Sequence, residues 1–131
     1  MTWRTFLLGG ALLVGLMAVV KPAIVRTDNH ARLLVLLRWQ SGTVRFVNSV
    51  TERPVAIHFR VGGTFRDFSV ATDAGTEAYY TGGVYSMNEA ISAESLPSLR
   101  FCSIKGISVT IGFYDIHLND GCLEVKLLWT I

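Results

Sequence analysis

The side chains of this chain that could hold a metal or move a proton are three histidines, ten acidic residues and two cysteines. His30 sits in a polar stretch behind an apolar leader. His58 and His117 fall within alternating runs, each on the face opposite the apolar residues. A transition-metal centre needs ligands at spacings such as H-x-H, H-E-x-x-H or paired Cys/His, and none of these spacings occurs. Asp67, Asp73 and Glu77 lie close together in sequence but match no calcium-loop pattern. Cys102 and Cys122 have two readings: one disulfide joining two late strands in an oxidising compartment, or two buried thiols packed as small hydrophobes. No metal or cofactor is expected.

Nucleophilic catalysis has little to build on. A serine elbow, G-x-S-x-G, is absent from the sequence. A Ser/His/carboxylate triad places no constraint on sequence order, so a small envelope hydrolase acting through His58 or His117 stays a third reading. Gly62-Gly63-Thr64-Phe65 lacks the lysine and the following helix of a phosphate-cradling loop, and reads as a turn. The most unusual local stretch is EAYYTGGVY, from Glu77 to Tyr85. Tyr79, Tyr80 and Tyr85 beside two glycines form a possible interaction surface, because tyrosine gives large contact area at low entropic cost. Alternatively, they fill the core with hydroxyls at its rim.

What would position these residues begins with the leader, TFLLGGALLVGLMAVVKPAIV, from Thr5 to Val25. No charge interrupts it from Thr5 to Val20, a stretch about 24 Å long as a helix. That is short of a hydrocarbon core of roughly 30 Å. Adding Trp3 at one end and Ala23-Ile24-Val25 at the other reaches spanning length, with Lys21 snorkelling outwards. Signal cleavage wants small residues at −3 and −1. Leu16-Met17-Ala18 is bulky at −3 and Lys21-Pro22-Ala23 is charged there. Residues 1–25 are therefore expected to be a transmembrane anchor or signal-anchor helix, with a cleaved signal peptide as the alternative. Ala11 and Gly15, four apart, mark a possible helix-packing face.

Residues 26–41 read as a juxtamembrane basic segment holding Arg26, Arg32 and Arg38 around the apolar run ARLLVLLRW, either a strand or the tail of a helix. Residues 42–131 read as the β domain. Val55, Ile57, Phe59 and Val61 share one face of an alternating run. Turns are expected at Thr51–Pro54, Gly62-Gly63 and Thr72–Gly75, with a short helix or long loop between Met87 and Leu99. Ile107, Val109, Ile111 and Phe113 alternate, and the apolar phase then shifts to Ile116 and Leu118, which predicts a bulge. Asn119-Asp120-Gly121 predicts a hairpin leading into Leu123, Val125, Leu127, Trp129 and Ile131 on one face. Together these predict an all-β fold, a small antiparallel β-sandwich of immunoglobulin-like or jelly-roll-like type behind one N-terminal hydrophobic helix.

A net charge of +2 with scattered basic residues argues against nucleic acid as a partner. Cations after the leader lean towards a cytoplasmic domain, whereas the cysteines and the short leader lean towards export. The expectation is a non-catalytic, single-pass membrane protein with its β domain on the exported side. That domain would bind a partner or serve as an accessory subunit of a membrane assembly, for example by adding a strand at an exposed sheet edge. The alternative is a processed, exported β protein that binds a ligand or inhibits an enzyme.

Overall fold

A computed structural model describes residues 2–48, 50–81, 88 and 91–130, with the side chains of 79–81 outside that description. Helix α1 (Trp3–Val19) precedes β1 (Val20–Arg26), β2 (Ala31–Leu37), β3 (Ser41–Val47), β4 (Pro54–Arg60) and β5 (Arg66–Ala71). Helix α2 (Ala74–Thr81) follows, then β6 (Ser98–Ser103), β7 (Ile107–Ile111), β8 (Tyr114–Leu118) and β9 (Gly121–Leu127). The strands form two antiparallel sheets, β2-β1-β9-β6 and β5-β4-β3-β7-β8. The fold is a small β-sandwich behind a helix, as the alternating pattern predicts.

Alternation sends every second side chain inwards. Phe59 of β4, Ile107, Val109 and Ile111 of β7, and Leu123, Val125 and Leu127 of β9 meet Ala23, Val25, Leu34 and Leu36 in one core. Each large apolar side chain so buried is worth roughly 1.5–3 kcal/mol. Phe59 is the centrepiece, edge-on to Phe65 at 5.4 Å and tilted against Phe68 at 6.1 Å. It lies directly opposite Gly42 across the ladder, where its ring covers the bare glycine Cα and leaves no room for a Cβ.

The structure corrects several boundaries. The leader is not one helix to Val25: the helix ends at Val19, and Val20–Arg26 is a strand between β2 and β9. Pro22 disfavours helical geometry at Lys21, and Pro22 is tolerated in an inner strand because its carbonyl side faces β9 just outside the ladder. That ladder begins only at Ala23, and Leu128 donates to the Pro22 carbonyl at 2.9 Å. The segment 26–41 is sandwich too, since it supplies β2 and the start of β3.

The phase shift after Ile111 is a two-residue hairpin rather than a bulge, with Gly112 at φ +57° joining β7 to β8. Asn119-Asp120-Gly121 turns the chain as expected, but it carries β8 of one sheet into β9 of the other and makes no hairpin. A register shift does occur elsewhere, between β4 and β5, where Asp67 takes φ +55°. The expected turn at Thr72–Gly75 is instead the start of α2: Asp73 Oδ1 accepts from the Thr76 backbone N–H at 2.8 Å and caps the helix.

Candidate functional site

The residues singled out for chemistry are scattered by the fold. His30 is exposed in the β1–β2 turn. His58 on β4 bonds the Thr43 hydroxyl at 2.9 Å, and His117 on β8 lies 3.4 Å from Asp115. These two histidines share the outer face of the five-stranded sheet but are separated by β3 and β7. Ser108 stands directly across from His117, and together with Arg45 they line a shallow groove; the Asp115–His117 pair is exposed. Asp67 lies at the start of β5, and Asp73 and Glu77 lie beyond that strand's far end. Among the described residues no cluster of His, Cys, Asp or Glu could hold a metal ion.

Tyr79 and Tyr80 belong to the backbone of α2, with their side chains outside the described set, and Tyr85 lies outside the described residues. Cys102 and Cys122 are opposed in the β6–β9 ladder and form a disulfide. Ala11 and Gly15 are exposed on α1.

What the fold does assemble is a socket for α1. The last four carbonyls of a helix have no partner inside it, and here the sandwich supplies donors. Trp129 Nε1 reaches the Met17 carbonyl at 2.6 Å and the Val20 carbonyl at 3.1 Å. Arg38 donates from its guanidinium to Ala18 at 3.3 Å and from its backbone N–H to Val19 at 2.9 Å. Lys21 Nζ then donates to the Trp129 carbonyl at 2.8 Å, from a side chain that is 0% exposed. Burial, reinforced by the Arg38 guanidinium, holds the Lys21 ammonium below the ordinary lysine range. Helix and strand join with no linker, so this cluster fixes the direction in which α1 leaves the sandwich.

No known protein family, characterised protein or solved structure matches this chain.

Around the socket the sandwich exposes apolar side chains at three tips. Trp39, between β2 and β3, is 64% exposed; Phe113, in the β7–β8 hairpin, is 90% exposed; Leu128, after β9, is 48% exposed. These segments are held together at one end. Gly112 donates to the Ser41 carbonyl at 3.1 Å, Gly62 to Arg38 at 3.0 Å, and Leu128 to Pro22 at 2.9 Å. Arg60, closing β4, and Arg66, opening β5, are exposed at the same end.

The helix is the most exposed apolar element. None of its 17 residues is buried, and its apolar side chains point in all directions. Among the described residues no helix is long and apolar enough to cross a membrane. Sequence reading missed the socket because Arg38 and Trp129 look like a flanking cation and one more strand residue. The signal that could have found them is a tryptophan displaced past the last buried position of β9.

Proposed function

We propose that the protein is a non-catalytic, membrane-tethered β-sandwich, in which α1 embeds in lipid and the sandwich holds a partner or completes a larger assembly at the surface. The observation that carries this reading is α1 itself. An apolar helix with no buried residue is stable in water only if something covers it, and from Phe6 to Val19 its chemistry on all sides matches hydrocarbon. Its 17 residues extend about 25 Å, one turn short of the bilayer core, so this is a tether that enters lipid and not the span to Val25 that hydropathy predicts. Ala11 and Gly15 on its surface would let a neighbouring subunit's helix approach closely. The disulfide favours the exported side of the membrane.

Flotation of the full chain with phospholipid vesicles tests the tether. The intact chain should float, and the chain from Val20 onward should stay with the soluble fraction while keeping its cooperative unfolding. Equal behaviour of the two would sink the proposal. Detergent extraction should also recover stoichiometric partner subunits.

The exported soluble form is the second reading, favoured by a sandwich that buries nothing of α1. Cleavage after Ala18 would leave β1 whole, whereas cleavage after Ala23 would remove half of it. A mature N-terminus at Val19 by mass spectrometry would decide for this form.

A further inference from the structure

We infer that the helix end of the sandwich is itself a lipid-docking surface for anionic membranes, with Trp39, Phe113 and Leu128 as its apolar tips and Arg38, Arg60 and Arg66 as its cations. The inference rests on the tether reading and adds to it where the sandwich sits.

Geometry is the first argument. Val19 ends the helix and Val20 begins the strand, and the socket bonds from Arg38 and Trp129 clamp that junction. With no linker, embedding α1 brings the surrounding loops down to the headgroups. A helix about 25 Å long cannot cross a core of roughly 30 Å alone, so the embedded end is completed by whatever rings its foot. Trp39 and Phe113 stand in that ring, and aromatic side chains favour the interfacial layer.

Charge is the second argument. The helix end presents Arg38, Arg60, Arg66 and Lys126 against Asp67 (paired with Arg60 at 3.9 Å), Asp115 next to the β7–β8 hairpin, and Glu94 in the segment leading to β6. The opposite end carries Asp28, Glu52, Asp73, Glu77, Asp120 and Glu124 against Arg26, Arg32, Arg45, Arg53, Arg100 and Lys105. The cation surplus of the described sandwich therefore lies at the helix end, which favours that end at a negative surface. Val50 and Ile104 are exposed apolar residues of the far end, where acidic and basic side chains balance.

The test uses the full chain in vesicles of phosphatidylcholine alone and of phosphatidylcholine with phosphatidylglycerol. Flotation reads the tether. Quenching of Trp39 by lipids brominated near the headgroup, taken as the difference between wild type and Trp39→Phe, reads docking. The chain should float on both vesicles, and on anionic ones the Trp39 emission should fall roughly twofold and be shielded from aqueous acrylamide. Arg60→Gln and Arg66→Gln should each shift the docking equilibrium roughly fivefold towards the undocked form. Val50→Ser with Ile104→Ser should change nothing.

If the chain floats but Trp39 stays open to acrylamide and untouched by bromolipid, the sandwich stands off the surface and docking is overturned with the tether intact. If the chain does not float, the tether reading fails and takes docking with it. Protection from both quenchers together with a cross-linked dimer would assign this face to a second copy and overturn the lipid assignment.

Discussion

The two ends of the sandwich are finished differently. At the far end the chain satisfies itself: Asn48 Oδ1 accepts from the Val50 and Thr51 backbone at 2.8 and 2.9 Å, Asp73 caps α2, and the disulfide pins β6 to β9. At the helix end donors are spent on α1, and the tips left over are apolar: Trp39, Phe113 and Leu128. Edge strands show the same economy, since Tyr114 accepts from Val35 on β2 and Asn88 accepts from Val70 on β5 at 2.7 Å. Such caps leave less room for an added strand than an open edge would. The contrast teaches that one end closes the fold and the other presents it.

Separating those roles by substitution should give effects of graded size. Removing the disulfide as Cys102→Ala/Cys122→Ala frees a loop of 20 residues and should lower unfolding free energy by about 3 kcal/mol. Urea denaturation reads this, and vesicle flotation should be unchanged; a loss of flotation would merge the two ends. Trp129→Phe keeps an aromatic ring, though a smaller one, but removes the donor to Met17 and Val20. It should destabilise by about 1 kcal/mol and speed amide exchange in the last turn of α1 and in residues 20–23. If it matched the disulfide in size, the socket would be a main support of the fold.

Lys21→Met tests the buried ammonium. With its pKa lowered in the folded state, wild-type stability should rise as pH climbs from the lowered value towards 10.5, because there the unfolded chain holds the proton and the folded one does not. The methionine variant should lack that rise in urea midpoints taken from neutral to alkaline pH. The smallest effect is expected from Asp73→Ala. The Thr76 hydroxyl and backbone N–H, together with Arg53, hold the Asp73 carboxyl below its ordinary 3.8. Its stabilisation is therefore full above that value and fades as pH falls through the lower, folded one. Wild type and variant should converge in thermal midpoint in strong acid, and a constant gap would deny the cap its charge.

Much of the sandwich is legible in the sequence because period-two burial is a local signal: β4, β7 and β9 read directly from their valines, isoleucines and leucines. Pairing is less local. Asn119-Asp120-Gly121 announces a turn but not which sheet receives the next strand, so an arch between sheets looks like a hairpin. Phe113 is apolar at a tip, and that disguises a hairpin as a bulge. The leader misleads for a related reason. The apolar inner face of β1 continues the hydropathy of α1, and only Pro22 marks the change. The socket and the exposed tips around it combine Arg38, Trp39, Phe113 and Trp129 from segments far apart in the chain, which no spacing rule joins. Of the tyrosines of EAYYTGGVY, Tyr79 and Tyr80 stand on α2, and Tyr85 lies outside the described residues.

The position of β1 also sets a timetable. It is the first strand made, yet one of its two neighbours is β9, the last, and Lys21 waits for a partner 108 residues later. Contacts of such long sequence separation form slowly and late. Until β9 emerges from the ribosome the four-stranded sheet lacks one of its two inner strands, while α1 is already complete. Helix α1 is therefore complete before the sandwich closes, and Trp129, two residues past the closing strand, is the bolt that locks the helix in place.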